Sequence, residues 1–293
     1  MSASPETAGT IYDIGYRGYT GPRLGRRGAI AALVGAGLRA VFGLGRSGRS
    51  KIIPWGAVIL ATMPAVVAVA IRVLAGDLID LYGYENYLWS IGALLPIFVA
   101  AQAPELVVND IRHRVLPLYF SRPMSRLDYV VAKLAALSLG LLALTLLPVL
   151  VLFVGRVLAA EDVLAAIGDE MGALPGIVGS GVMHAVVLAS IGLAVSSLAA
   201  RRAYAAGAVL AIFLIGGVFG QVLSEAGRFA ELAPFFDPLA VLDGAREWLF
   251  GGSVAESPVR AAGLPLAVYG LATLIMTPAS WTVLALRYRG IST

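Results

Sequence analysis

Six stretches of this chain are too long and too apolar to fold as anything but membrane-crossing helices: Ile52 to Leu74, Tyr87 to Val108, Tyr129 to Leu158, Ile177 to Ala200, Ala203 to Leu223 and Leu264 to Leu286. A helix rises about 1.5 Å per residue, so about 20 apolar residues cross a hydrocarbon core of about 30 Å. Inside that core no water is available to unpaired backbone groups, and a helix satisfies them all within its own segment. Composition agrees: 59% of residues are hydrophobic and 14% charged, against roughly a quarter charged in soluble domains. The sequence therefore predicts an all-α integral membrane protein, with a six-helix domain over 52–290 behind an N-terminal segment, 1–51.

A cleavable leader would place a short apolar run within the first turns of the chain, whereas residues 1–51 are polar, glycine-rich and basic. That segment is expected to stay with the mature protein. The chain has no cysteine, which excludes a disulfide framework and any thiolate metal site.

Basic residues are retained on the cytoplasmic side of short membrane loops, so their distribution reports orientation. With the N-terminus inside, the inner segments hold eight Lys and Arg before the first span, five from Arg112 to Lys133, then Arg201, Arg202, Arg287 and Arg289. The inner balance is +12 and the outer one −8, within a net charge of +4. Both termini are thus expected in the cytoplasm, and the excess of positive charge is a topological signal. It gives no support to nucleic-acid binding.

The stretch GLGRSGRS, Gly43 to Ser50, has the spacing of a phosphate-binding loop, in which glycine N–H groups cradle phosphates and a lysine reaches the terminal ones. Arg49 stands where that lysine belongs, and the guanidinium is not an equivalent point charge. Before it, Ile30, Leu33, Val34, Leu38, Val41 and Phe42 recur at helical spacing, where the motif requires a strand. The expectation is an amphipathic helix over about 24–45 lying in the inner headgroup layer, followed by a loose basic link.

The inner loop after the second span, about 109–128, carries more information. Asp110 and Arg114 are four residues apart, the spacing of an ion pair on one helical turn. Pro117 and Pro123 each end what precedes them, and Ser125 with Asp128 has capping-box spacing just before an apolar run. A short helix, an elbow and a fresh helix start result. Taken alone, this suits either a plain basic hairpin or a docking element, for which Arg112, Arg114, Tyr119, Arg122 and Arg126 supply exposed groups and Pro123 a stiff link.

The stretch LPLYFSRPMSRLDYVVAKL resembles the signature of ABC-2 type transporter permeases, through Leu118, Tyr119, Ser121, Arg122, Pro123, Ser125, Arg126, Tyr129 and Lys133. Ala132 departs from it, where many relatives have glycine. The likeness extends in outline over most of the chain: a basic amphipathic N-terminal helix, six spans, inside termini and short outer helices before the last span. It implies that Asp110, Arg112, Arg114, Tyr119, Arg122, Pro123, Arg126, Asp128 and Tyr129 belong to a coupling loop that docks on a separate ATPase subunit. It also implies a second permease subunit, identical or paralogous, and an exporter in a prokaryotic plasma membrane. ATP and Mg would then be bound by the ATPase partner, with no catalytic residue and no cofactor on this chain.

The outer segment, about 224–263, is too long for a plain connection. Asp237 before Pro238 is a helix start, Gly251 and Gly252 a stop, and Leu239, Leu242, Leu249 and Phe250 share a face near Arg246. Such a helix either rests on the outer surface or dips into the leaflet. Glu225, Glu231, Asp237, Asp243, Glu247 and Glu256 are too scattered, and too far from any histidine, to suggest a metal site. Within the spans the polar positions are few and costly: Gln102 and Glu105 in the second, and His184 in the fourth, either a proton relay or an interhelical hydrogen-bonding group. Gly216 and Gly220 form a Gly-x-x-x-Gly packing face. Motifs of hydrolases and of channel selectivity filters are lacking. The competing expectation is a proton-coupled carrier working without an ATPase.

Overall fold

The computed structural model describes residues 21, 25–76, 81–121, 123–227, 229–252 and 258–289, and every regular element among them is helical. Six helical segments are long and apolar enough to cross a membrane: α2 (Arg49–Ala75), α4 (Leu94–Arg112), α6 with α7 (Arg126–Thr145, Leu147–Ala159), α9 (Leu174–Leu198, with its lead-in), α10 (Arg202–Ala226) and α13 (Leu266–Arg289). Around them lie α1 (Gly25–Val41), α3 (Tyr84–Ser90), α5 (Leu116–Phe120), α8 (Val163–Glu170), α11 (Pro238–Phe250) and α12 (Pro258–Ala262).

Burial separates inner from outer helices. In α9 and its lead-in, 72% of the apolar window is buried within the chain, against 22% in α2 and 17% in α10 and α13. The outward faces of the latter are apolar, with Ile59, Leu60, Val73, Ile215, Val218, Leu274 and Ile275 all exposed. Such patches in water would drive aggregation; against acyl chains they are the expected surface. The chain is a multi-pass membrane protein.

Three boundaries differ from the sequence expectation. The second span starts at Leu94 rather than Tyr87, because α3 is a separate helix set off by a turn at Ile91–Ala93. Tyr87 is fully buried, and its hydroxyl donates to Ala61 O (2.5 Å) and accepts from Ala65 N (3.2 Å), wedged into the backbone ladder of α2 beside Pro64. The third span breaks at Leu146, since Pro148 cannot donate to the preceding turn. The fourth is preceded by α8, whose N-cap Asp162 accepts from Leu164 N and Ala165 N.

Helix α1 is docked on the bundle. It runs parallel to the first half of α6, with Arg26 opposite Asp128, Gly37 against Ala136 and Val41 against Gly140. A Cβ on Gly37 would stand 2.6 Å from that of Ala136, so the approach depends on glycine. The Gly43–Ser50 stretch is the turn from α1 into α2, with Gly43 at φ 63°. Its N–H groups at Gly43, Leu44, Arg46 and Ser50 donate to the chain's own carbonyls, and a helix precedes it where a phosphate-binding loop requires a strand.

Six crossings gather α1, α5, the α9–α10 link and the end of α13 on one face, called here the terminal face. The far face carries α3, α8, α11 and α12.

Candidate coupling face and far-face cavity

On the terminal face, the helix ends are tied together by ionic contacts between elements distant in sequence. Ser125 and Asp128 form the expected capping box, Ser125 Oγ accepting from Asp128 N (3.2 Å) and Asp128 Oδ2 from Ser125 N (2.8 Å). Arg26 of α1 then donates to both oxygens of Asp128 at 2.8 Å, a bidentate pair. That carboxylate holds the Arg26 guanidinium above its ordinary pKa. Arg126 donates to Tyr288 O (3.2 Å) and Arg289 O (2.7 Å), closing the carbonyl end of α13. Arg287 donates to Ser197 O at the end of α9 (3.2 Å).

Deeper, Asp110 accepts from Tyr129 Oη (2.8 Å) and pairs with Lys133 Nζ (2.7 Å), which also lies over the Tyr129 ring. Asp110 therefore pairs with Lys133, not with Arg114 as its spacing suggested: α4 ends at Arg112, and Arg114 is exposed with φ 52°, off the helix. Glu105, almost fully buried, is shared by two guanidinium groups. Arg46 from the α1–α2 link donates to Oε1, and Arg202 at the start of α10 lies 2.5 Å from Oε2, an ion pair not aligned as a hydrogen bond.

The nine residues of the expected coupling loop thus divide. Asp110, Asp128 and Tyr129 are drawn inside, and Arg126 is partly buried against α13. Tyr119 is half-buried, 5.7 Å from the Tyr129 ring. Arg112, Arg114 and Pro123 are exposed, and Arg122 lies outside the described residues. Between the exposed groups sits α5, which presents Leu118 at 68% exposure. Leu118 was legible only as part of a motif, since an apolar residue in an apolar run does not announce which way it points. The pairings of Lys133, Arg26, Glu105, Arg46 and Arg202 left no trace in the sequence, the partners being 23 to 102 residues apart.

On the far face, the expected start and stop of α11 both form: Asp237 Oδ1 accepts from Leu239 N (2.9 Å), and Gly251 turns left-handed at φ 63°. This helix does not rest on a surface. Its 13 residues pack against α9 and α13, Gly244 on Tyr269 and Trp248 on Gly270. Its polar side is buried as well. Arg246, 3% exposed, donates to Asp243 Oδ1 (2.8 Å) and to Glu247 Oε1 (3.1 Å), while Arg246 Nε and Glu247 Oε2 find no partner among the described residues.

Beside this cluster, a cavity of about 560 Å³ opens between α3, α4, α10 and α11. Its walls include Leu88, Trp89, Phe213, Leu214 and Leu239, and His184, Asp237 and Asp243 stand at its polar end. His184 Nδ1 faces Ser180 O at 2.8 Å. A carbonyl only accepts, so Nδ1 carries the proton and Nε2 keeps its lone pair in the neutral ring. Burial pushes the Asp243 carboxyl up to about 6, against the opposing pull of Arg246, and raises Asp237 above the ordinary carboxylate range.

Of the remaining sequence candidates, Gln102 is buried in α4. Gly216 and Gly220 meet the Ala233–Phe236 turn of the same chain, a Cβ on Gly220 standing 2.9 Å from Ala233 O. Among the described residues no three His, Cys, Asp or Glu side chains gather as metal ligands.

Fold and site together define a helical, multi-pass membrane protein with an ionic face at one end and a cavity near the other. No protein-family model matches the chain, and no curated protein sequence matches it.

Proposed function

We propose that this chain is the permease subunit of an ATP-driven exporter, similar to ABC-2 type permeases, coupled through α5 and its flanks to a separate ATPase subunit. The observation that carries this reading is the contrast within the loop between spans two and three. Asp110, Asp128, Tyr129 and Arg126 fasten it to α1, α4, α6 and α13, while Arg112, Arg114, Leu118 and Pro123 are exposed to whatever lies beyond. A rigid element with an apolar tip and basic flanks suits docking into an apolar groove with an acidic rim. Displacement of α5 by a closing ATPase would be passed to α4 and α6 as a lever, a hinge or shear motion.

On this reading both termini face the cytoplasm of a prokaryotic cell, and a second permease subunit completes the pathway. ATP and Mg belong to the partner. The alternative, a proton-coupled carrier, draws on one observation: His184 is buried and lines the cavity.

The test is gentle purification of the tagged chain from its native membranes, with assay of ATP hydrolysis and identification of what accompanies it. An ATPase in fixed ratio, lost on combining Arg112→Glu with Arg114→Glu while the chain still folds, supports the coupling face. A chain that transports yet emerges alone, in lipid and at low salt, overturns it.

A further inference from the structure

We propose that the far-face cavity binds an amphipathic cation, a ligand with an apolar body and a protonated amine, held by Asp243, Asp237 and His184. As the exporter's substrate site this rests on the permease reading; as a binding site it stands on the geometry alone.

The first observation is the balance of charge. Asp237, Asp243 and Glu247 share one cation among the described residues, Arg246, which both Asp243 and Glu247 contact. Glu247 Oε2 and Arg246 Nε are left over, and all but Asp237 sit on two successive turns of one buried helix. Excess negative charge away from water is costly, and a cation entering beside Asp243 offsets that cost.

The second observation is independent of the carboxylates. His184, 3% exposed, lines the cavity from α9, and among the described residues no hydrogen bond engages its Nε2. With Nδ1–H committed to Ser180 O, that nitrogen is an acceptor. The polar end therefore offers acceptors from two elements, α9 and α11 with its cap, and among the described residues no cationic side chain lines it. Two carboxylates against the nearby cation Arg246 favour a cation over an anion there. A metal ion is a poor fit, since among the described residues no three ligand side chains gather closely enough to coordinate one, whereas an ammonium needs a single close acceptor and is attracted by a second carboxylate at longer range.

The third observation is the wall. Leu88, Phe213, Leu214 and Leu239 take an apolar body, and Trp89 at the rim adds an aromatic surface of the kind that attracts cations. About 560 Å³ suits a molecule of drug or single-chain lipid size. Among the lining residues Ile97 on α4, Leu214 on α10 and Trp89 on α3 are exposed, so the cavity is open where two spans present apolar side chains, a side suited to a ligand arriving from lipid.

The experiment is equilibrium dialysis of labelled dodecylammonium against the full chain in phosphatidylcholine nanodiscs near neutral pH, with empty discs as the baseline. A saturable component is expected in loaded discs alone. Dodecanol should compete at least about tenfold more weakly, and dodecyl sulfate not at all. Asp243→Asn should weaken the cation by about tenfold and leave the weak competition by dodecanol unchanged. Leu214→Trp, which fills the cavity and alters no charge, should remove the saturable component, and it keeps the test open should the Asp243 variant fail to fold. Adding phosphatidylethanolamine to the discs separates two sources of the amine: competition assigns a lipid headgroup, and its absence a freely diffusing amphiphile. No saturable component, equal competition by dodecanol, or unchanged binding in Leu214→Trp overturns the site. Dialysis needs no ATPase. Lost binding in a chain that still brings down an ATPase removes the site and keeps the transporter, and binding by a chain that travels alone does the reverse.

Discussion

The two ends of the bundle use the same chemistry, a basic side chain against carboxylate, in opposite ways. On the terminal face each carboxylate meets its cations across elements: Asp128 takes Arg26 of α1, Asp110 takes Lys133 of α6, and Glu105 takes Arg46 and Arg202. Cations match or exceed anions, and each contact ties two or more helices. On the far face, Asp243, Arg246 and Glu247 are neighbours on α11 itself, so their pairing fixes no second element, and anions exceed cations. An ion pair that bridges helices is a clamp. One that leaves charge uncompensated within a single helix, beside a cavity, is a site awaiting a counter-ion.

Removing Arg246 should have the largest effect on stability. Arg246→Met leaves Asp243 and Glu247 buried without a cation, and breaking such a pair costs about 3 to 5 kcal/mol. Thermal unfolding of the purified protein in detergent, followed by tryptophan fluorescence, reads it. If Arg246→Met unfolds like the wild type, the far-face cluster is wetter than its burial indicates, and the comparison fails. Next comes Lys133→Met, about 2 kcal/mol, because Asp110 loses its cation but keeps the Tyr129 hydroxyl. Glu105→Gln should cost about 1 kcal/mol or less, since Arg46 and Arg202 are each about half exposed and recover water.

The six spans, the capping box at Ser125 and both ends of α11 were legible because each depends on a local pattern: apolar length, a three-residue spacing, an Asp-Pro start and a Gly-Gly stop. The pairing of Arg26 with Asp128, 102 residues apart, leaves no such trace. Nor does the fate of a polar face. The spacing of α11 puts Asp243 one turn after Leu239 and Arg246 one turn after Leu242, so apolar and charged groups share a side, and such a helix looks alike whether that side meets water or lies buried. Tyr87 misled for a related reason: it continues an apolar run, yet its hydroxyl is spent on the backbone of α2.

Acidity sharpens the contrast through Asp243. Its carboxyl is raised to about 6 in the folded chain, above its ordinary range near 3.8. The folded state thus favours the protonated form, and the stabilisation is full below the ordinary range and lost as pH rises through about 6. Arg246 opposes this loss, whereas Asp237 and Glu247 reinforce it. Between about pH 4 and pH 7, wild-type stability should fall relative to Asp243→Asn, by at most about 1.4 kcal/mol per pH unit. Parallel melting curves for the two proteins would deny the raised carboxyl. Leu118→Ser, which keeps Asp243 and alters no charge, serves as the control and should fall relative to Asp243→Asn as the wild type does.

The smallest effect on folding should come from the residue with the largest expected effect on coupling. Leu118 is 68% exposed on α5 and is not among the described side chains packed on the core. Leu118→Ser should shift stability by less than about 0.5 kcal/mol, as surface substitutions away from special features do. Transport and ATPase association should nonetheless fall together, because an apolar anchor lost from the centre of a docking surface takes more binding energy than any rim charge. Arg112→Ala alone should give a milder, salt-sensitive loss, and Pro123→Ala should leave association in place while reducing transport, the link being loosened and the tip intact. Should Leu118→Ser melt early instead, the tip is part of the bundle's own packing. The terminal face would then be a clamp and nothing more, and the case for a partner would return to Arg112 and Arg114.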